Sequence, residues 1–555
     1  MKLLALTSTL IWLALAATPS YGFFLDGDGH YSLRGETRTK PGFSSEQGTY
    51  QAIQQFFRLR GEARFNERSS MYLEFRLFDN PRATYLGDTP EPDECQANNG
   101  RSEDPEDPDN PCRGAHQNTG EPRYRDYLPR VSKLYVRYAF DFCILEAGRR
   151  GRDWGMGIFM DEGNDPFDTE ISVYDGISCH INVQKSQPLG FAFGVDKLAE
   201  TGTYVNSELV EGDPQDREFG ANDRDDDINQ YFFQIEFDDR RANAGAFFTK
   251  QIGVYFANVV GTAFDKDSPA TRGGSNTDLK FLDLYTGFYI GSFAWRNELL
   301  FRMGKSGDPS YQGLGGRKES DSGNPATNKL EALAVAGNLE YVISRSGAPT
   351  GPVEFHQGDV SRHLVFLDYA YAPGDRDGYF RDIDESTGIA EAERNSINEE
   401  ERDNKVSGLA LHRNYKPALI LLNGRPEFDA AKVDGVFDPG RLLNVNLLGL
   451  GYRYESFETG NFEAKLITAT LSEGIPNRVK QFYETYEDAL PVKPIGFYGK
   501  SLGYELDLKY SYSVGREITL GAALAAALPG KGWKVRENKE PEANVLLQSS
   551  VSFRF

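Results

Sequence analysis

The chain has 555 residues and a formal net charge of −22, and only 39% of its residues are hydrophobic. This acidity opposes nucleic-acid binding, and no segment after the N-terminus has the run of about 18 apolar residues that a spanning helix requires. Aromatic residues still reach 13%, which is unusual for a soluble enzyme and typical of a membrane β-barrel, where half of the strand residues face water.

The N-terminal segment is predicted to be a secretory signal peptide. Lys2 precedes an apolar run from Leu3 to Ala17, and small residues between positions 16 and 22 suit a cleavage site. We therefore expect residues 1–22 to be removed as a signal peptide. Residues 23–555 are then predicted to form one domain in the outer membrane of a Gram-negative cell.

The strands are recognised by apolar and polar residues that alternate with a period of two. The clearest example places Leu502, Tyr504 and Leu506 on one face and Glu505 and Asp507 on the other. The alternation predicts about 18 strands (roughly 16–20). They lie near residues 31–38, 52–65, 70–78, 131–140, 142–149, 170–182, 188–197, 228–237, 244–256, 279–290, 292–302, 329–343, 361–371, 441–455, 461–472, 501–512, 516–527 and 543–555.

Short and long links alternate between these strands. The short links include 66–69, 238–243, 458–460 and 513–515, and the long links include 80–130, 198–227, 258–278, 303–328, 372–440 and 473–500. Short periplasmic turns and long extracellular loops produce this alternation in outer-membrane barrels. The fold class is therefore predicted to be all-β, a transmembrane antiparallel β-barrel, with the long link 344–360 as one exception.

The last strand ends on an aromatic residue. Val545, Leu547, Val551 and Phe553 share a face with Phe555, and a terminal aromatic on an amphipathic strand resembles the signal that bacterial barrels present to their assembly machinery. We therefore expect Phe555 to engage that machinery.

Four cysteines fit an oxidising compartment. Cys95 and Cys112 flank a segment dense in acidic residues, and we predict a disulfide between them. Cys143 and Cys179 lie in strand-like segments, and the spacing leaves their pairing open. No cofactor is expected.

Acidic segments are candidate sites for Ca²⁺, which prefers hard oxygen ligands. These segments are Asp26–His30 and Asp223–Asp227, and the simpler interpretation is that they are flexible and solvated. The acidic loops also suggest bridging through divalent cations to lipopolysaccharide phosphates.

A group of aromatic and apolar residues follows the fifth predicted strand. We interpret it as an aromatic belt or an inward-folded constriction loop, formed by Trp154, Met156, Phe159 and Phe167.

If the apolar face of each strand meets lipid, the opposite face is rich in basic residues. Rings of Arg and Lys favour anions, and Arg binds carboxylates bidentately. A simpler interpretation is that Arg and Glu only join neighbouring strands across the lumen. The predicted lumen-binding residues are Arg34, Arg38, Arg58, Arg60, Arg64, Arg76, Lys133, Arg137, Arg149, Arg296, Arg302, Arg362 and Arg453.

Three short segments resemble landmarks of the alginate-export outer-membrane proteins. They are Leu145–Arg150, Tyr369–Gly378 and Leu502–Leu508, and the chain closes on Arg554 and Phe555 as in that family. The resemblance implies an eighteen-stranded barrel with a positively charged, loop-gated conduit for an acidic polysaccharide. It also marks a turn formed by Gly374, Asp375, Arg376 and Asp377, while Ala147 departs from the aromatic that the family usually has there.

Enzymatic barrels are considered and set aside. Ser178 and His180 lie two apart on one strand face, but this face is predicted to point into the lumen and not toward lipid. A protease cluster at the rim is opposed by the predicted topology for His356, His363, Asp359 and Asp368.

The function predicted from the sequence is an outer-membrane channel for an anionic or sugar-like solute, most sharply an exporter of an acidic polysaccharide. The alternatives are a general or substrate-specific uptake porin and a structural or adhesive barrel with acidic surface loops. The expected partners are the solute, outer-membrane lipid with lipopolysaccharide, and the assembly machinery. We expect a monomer that binds no nucleic acid.

Overall fold

The computed structural model describes a subset of the chain. The described residues are 24–40, 43, 49–77, 130–165, 168, 171–182, 188–200, 227–240, 248–263, 275–306, 328–347, 359–375, 405–412, 414–422, 442–456, 458–487, 490, 493–536 and 539–555. The predicted signal peptide, Cys95, Cys112, Phe167 and most of the acidic loops lie outside them.

Eighteen antiparallel strands form a closed barrel, in which each of them pairs with the next along the barrel and the last pairs with the first. A further strand of two residues pairs in parallel with the extracellular end of one of these strands. The strands are β1 (Phe24–Thr39), β2 (Thr49–Arg64), β3 (Ser69–Leu77), β4 (Arg130–Ala139), β5 (Ile144–Gly151), β6 (Val173–Asn182), β7 (Leu189–Glu200), β8 (Asp227–Asp238), β9 (Phe248–Ala263), β10 (Ser275–Ile290), β11 (Phe293–Ser306), β12 (Asn328–Gly347), β13 (Asp359–Ala372), β14 (Lys405–Val406), β15 (Val445–Ser456), β16 (Asn461–Leu471), β17 (Ser501–Val514), β18 (Ile518–Pro529) and β19 (Asn544–Arg554).

The prediction of an eighteen-stranded barrel is confirmed, and every predicted strand is present. Side chains alternate between a lumen face and an outer face, as the period of two requires. On β15, Leu448 and Leu450 are 47% and 60% exposed on the outer face, whereas Val445 and Leu447 are buried inside. A closed barrel with an outward apolar band is the structure that spans the outer membrane.

Two local features differ from the predictions. β1 begins at Phe24, so Asp26–His30 is a strand paired with β2 and not a flexible segment. Leu502 does not share the outer face of Tyr504, because the pairing of β16 with β17 shifts by one residue beside Gly503. A β-bulge of this kind turns the preceding residue to the other face, and Leu502 is fully buried.

A disulfide joins Cys143 and Cys179. Cys143 lies in the short turn before β5, and Cys179 lies on β6 opposite Leu145. The pairing that the sequence left open is therefore made, and it connects the β4–β5 turn to β6 at the periplasmic end of the barrel.

Two extracellular links fold into the lumen. The first inner segment, of which residues 152–165 and 168 are described, follows β5, and the second inner segment, residues 407–422, lies between β14 and β15. Leu411, Ile420 and Leu421 of the second segment are buried in one apolar cluster with lumen-facing alanines such as Ala334. The inner segments therefore cover part of the wall with apolar contacts.

Helix α1 (Asn477–Thr485) lies in the extracellular link between β16 and β17. It buries Val479, Phe482 and Tyr483 in the same apolar cluster, so it packs above the second inner segment. No helix in the described part of the chain is long and apolar enough to cross a membrane.

Candidate functional site

Basic residues of the first strands bind the first inner segment. Arg58 donates from Nη1 to the carbonyl oxygen of Asn164 at 2.9 Å, and Arg76 donates from Nη2 to the carbonyl oxygen of Gly163 at 2.7 Å. Arg60 adds a bond of 2.9 Å to the side-chain oxygen of Asn164. These guanidinium groups therefore satisfy backbone carbonyls that the inward fold removes from water.

A buried carboxylate organises these cations. Glu74 on β3 is fully buried and accepts hydrogen bonds of 2.8 Å from Arg60 and from Arg76. Lys133 lies 3.7 Å from Glu74 and 2.9 Å from Glu162 of the first inner segment. The basic cluster predicted for substrate is thus bound largely by the chain itself.

The other side of the first inner segment packs against β8–β11. Glu298 of β11 accepts a hydrogen bond from the backbone N–H of Met156. The Trp154 ring packs on Tyr255 at 5.5 Å, and the Arg152 guanidinium lies 3.5 Å from the centre of the Phe232 ring. The interpretation of this loop as an inward-folded constriction is therefore correct.

The sequence interpretation missed Arg150 and Asp196 as lumen residues. Arg150 donates from Nη2 to Asp196 at 2.7 Å, and Arg152 pairs with the same carboxylate. The sequence could have identified Arg150, because it lies four residues after Glu146 on β5 and therefore on the same, lumen-facing side of the strand.

Glu505 on β17 holds the second inner segment. Its carboxylate accepts three backbone hydrogen bonds, from Leu419 at 2.7 Å, Ile420 at 2.7 Å and Leu421 at 2.6 Å. Successive N–H groups that converge on one anion form a nest. The sequence placed Glu505 on the lumen face but gave no partner for it.

Basic wall residues bind the carbonyl groups of the same segment. Arg38 donates to the carbonyl of Leu419 at 3.0 Å, and Arg302 donates to that of Gly408 at 2.6 Å. Lys465 donates to the carbonyl of Pro417 at 2.7 Å. Both inner segments are therefore held by charged lumen side chains.

The two inner segments meet inside the barrel. The backbone N–H of His412 donates to the carbonyl oxygen of Ile158 at 2.8 Å. Asn414 donates from Nδ2 to Asp161 at 3.3 Å. These contacts connect the two inner segments inside the lumen.

The turn marked by the family resemblance anchors the start of the second inner segment. The backbone N–H of Ser407 donates to Asp375 at 3.1 Å, and the Ser407 hydroxyl donates to the carbonyl of Gly374 at 3.1 Å. Arg376 and Asp377 lie outside the described residues.

A cavity of about 450 Å³ lies below the second inner segment, in the periplasmic half of the lumen. Arg453 lines it, bound to Glu463 at 2.9 Å, and Lys509 lies 3.5 Å from the same carboxylate. Arg34 lines the cavity from β1 and donates to Gln54 at 2.7 Å. The other lining groups include Leu419, Glu455, Gln548 and Ser550.

Other predicted lumen residues form pairs along the wall. Arg296 binds Glu340 at 2.7 Å, and Arg362 pairs with Glu455. Arg64 and Arg137 lie near the periplasmic end and pair with Glu62 at 2.7 Å and with Glu146 at 3.9 Å, respectively.

The prediction for Arg149 is wrong. Arg149 lies opposite the lipid-facing Leu134, on the outer face, and donates bidentately to Asp175 at 2.9 and 2.7 Å. Because successive residues of a strand face opposite sides, the inward position in this segment belongs to Arg150.

Ser178 and His180 are in contact on the lumen face, at 2.9 Å between Oγ and Nε2. The same Nε2 lies 3.4 Å from Glu146, and Arg150 donates to the Ser178 hydroxyl. A catalytic relay needs the acid on the other ring nitrogen, so these contacts form a hydrogen-bond cluster on the lumen wall without the geometry of that relay. His363, in turn, bonds outward to Tyr452.

Acidic residues of the first inner segment line a second cavity, of about 290 Å³. Burial, together with the neighbouring Asp161 and Asp165, raises the pKa of Asp168 to about 7. Within the described ranges, no group of three or more His, Cys, Asp or Glu residues is arranged to hold a metal ion.

Comparison with known proteins finds similar solved structures but no matching family model or curated protein. Among solved structures, the outer membrane protein opdK from Pseudomonas aeruginosa is 9% identical, with a TM-score of 0.41 over 96% of this chain and 99% of that one. OccK2 (OpdF) of Pseudomonas aeruginosa, in complex with glucuronate, is 9% identical with a TM-score of 0.43, over 96% of each chain.

A third similar structure is Wzi, a carbohydrate-binding β-barrel involved in group 1 capsule assembly in Escherichia coli. It is 11% identical, with a TM-score of 0.40 over 95% of this chain and 84% of that one. At this level, the likeness concerns the general shape of the barrel. The function is therefore argued below from the lumen itself.

Proposed function

We propose that this barrel is an outer-membrane channel for small anionic or sugar-like solutes. The observation that supports it most is the periplasmic cavity, whose volume of about 450 Å³ lies in the range of roughly 300–1,000 Å³ found for small-ligand sites. Arg34, Arg453 and Lys509 supply cations for a carboxylate, while Gln548 and Ser550 supply hydrogen bonds for hydroxyl groups.

The contact between the inner segments favours a small solute over a polymer. Export of an acidic polysaccharide, the finer hypothesis from the sequence, requires the His412–Ile158 contact to open so that a chain can thread the lumen. A small solute does not need a path that admits an extended chain.

The first test is single-channel recording of the purified protein in planar bilayers. We expect anion-selective conductance that glucuronate blocks, and the R453Q/K509Q variant should weaken the block about tenfold because charge-assisted hydrogen bonds are lost. Arg137→Gln, which removes a lumen cation outside the cavity lining, is the matched control. A total lack of conductance would instead favour the structural or adhesive barrel.

A second prediction concerns pH. Because the pKa of Asp168 is raised to about 7, this carboxyl gains a proton as the pH falls from 8 to 6, and the first inner segment becomes less negative. Anion selectivity, measured as reversal potential in a salt gradient, should therefore rise over this range. The Asp168→Asn variant should lack this component, and an unchanged pH profile in the variant would contradict the assignment.

A further inference from the structure

Four lysines lie on the outer face of the barrel at its extracellular end. They are Lys280 on β10, Lys305 on β11, Lys329 on β12 and Lys405 on β14, and we refer to them as the rim lysines. Lys305 lies directly opposite Lys329, and Lys329 lies directly opposite Lys405. Three cations thus form one row across three adjacent strands.

Few carboxylates lie beside this row among the described residues. Like charges directly opposite one another destabilise a sheet. Asp278 lies 3.9 Å from Lys280, while Glu331 lies 3.1 Å from Lys329 and 3.3 Å from Lys405. Among the described residues, Asp278 and Glu331 are the carboxylates that pair with these lysines, and Lys305 lies opposite Asp278 without an ion pair.

The rim lysines lie just above the apolar band of the barrel. On β12, the outward residues from Leu333 to Ile343 are mostly apolar, and Lys329 lies two outward positions above Leu333. Ten residues of a tilted strand rise about 25 Å, which is the height of the lipid-facing band. Met303 lies opposite Lys280 and is 45% exposed, so apolar surface continues to the level of the cations.

The position of a short turn shows which end of the barrel carries the lysines. The opposite end of β10 and β11 is closed by the two-residue turn Gly291–Ser292. Short turns face the periplasm in outer-membrane barrels, and long loops face outward. The row is thus at the headgroup level of the outer leaflet.

We propose that the rim lysines bind the phosphate groups of the phosphorylated glycolipid of the outer leaflet, the lipid A part of lipopolysaccharide. Its acyl chains would lie on the apolar surface below, beside Leu282, Met303 and Leu333. The complementarity of a lysine row to phosphate, together with the adjacent acyl-binding surface, identifies a lipid and not a free ion. This site is independent of the solute that passes the lumen.

The test uses the full-length protein, stripped of lipid in detergent, with diphosphorylated lipid A as the probe. Binding is measured by the rise in unfolding temperature and by native mass spectrometry. The K280Q/K305Q/K329Q variant should bind lipid A roughly 100-fold more weakly, since each lysine near an anionic surface contributes about 1 kcal/mol. The K280R/K305R/K329R variant should bind as the original protein does.

Three controls separate lipid binding from other causes. Arg149→Gln removes an outer-face cation that already has a bidentate carboxylate partner, Asp175, and should leave lipid A binding unchanged. Dephosphorylated lipid A with the same acyl chains should bind the original protein as weakly as lipid A binds the glutamine variant. Inorganic phosphate at millimolar concentration should not stabilise the protein.

Several results would overturn the proposal. These are equal binding of dephosphorylated lipid A, undiminished binding by the glutamine variant, and stabilisation by inorganic phosphate alone. Because the comparison of the two lipids uses the original protein, it decides the question even if the glutamine variant fails to fold.

Discussion

Replacing Glu505 with Ala is expected to raise the single-channel conductance severalfold. The carboxylate accepts three backbone hydrogen bonds from Leu419, Ile420 and Leu421, and a hydrogen bond to a charged group contributes roughly 1.5–3 kcal/mol. Without them, three N–H groups are left buried or must turn to water. The second inner segment should therefore leave the wall, and the lumen should widen.

The control for this variant is Glu62→Ala. Glu62 also faces the lumen, but among the described residues its ion pair is with Arg64 near the periplasmic end and not with an inner segment. Folding of both variants is checked by heat-dependent migration in gels. A folded Glu505→Ala barrel whose conductance equals that of the original protein would show that the segment is held by its apolar contacts alone.

The double variant Arg58→Gln and Arg76→Gln is expected to release the first inner segment. Both guanidinium groups bind carbonyl oxygens of residues 163 and 164, and Arg76 also neutralises the buried Glu74. Breaking a buried ion pair from one side costs about 3–5 kcal/mol. We expect a larger conductance, a lower anion preference and a lower unfolding temperature.

Arg64→Gln is the matched control for this pair. The sequence alone places Arg58, Arg60 and Arg64 together among the predicted lumen cations. The structure separates them, because Arg64 is half exposed and, among the described residues, pairs with Glu62, whereas Arg58 and Arg60 contact Asn164. Equal effects of Arg64→Gln and the double variant on conductance would contradict the anchoring role.

The barrel is largely readable from the sequence. Water on one side and hydrocarbon on the other impose alternation at every second residue, so each strand can be recognised within about ten positions. β15 and β19 follow the predicted faces along their length. Deviations occur where the period is interrupted, as at Gly503, where a bulge reverses the face of Leu502.

The use of the lumen charges is decided by the tertiary structure. The sequence places Arg58 and Glu505 on the inner face, but it does not indicate that they hold inner segments 106 and 86 residues away in the chain. The sequence interpretation also assigned Arg149 to the lumen. That assignment came from a short segment that resembles a family landmark, and such a segment does not show which of its residues face the lumen.

The sequence by itself therefore determines the strands, their order and the face of most of their residues, since these follow from a local pattern of solvation. The partner of each charged lumen residue was decided only by the folded chain. Buried charges must find an opposite charge or a hydrogen-bonding group, and here those groups are carbonyl and N–H groups of loops that return from the extracellular side. The alternation of residues along a strand does not specify which extracellular loop folds back into the lumen.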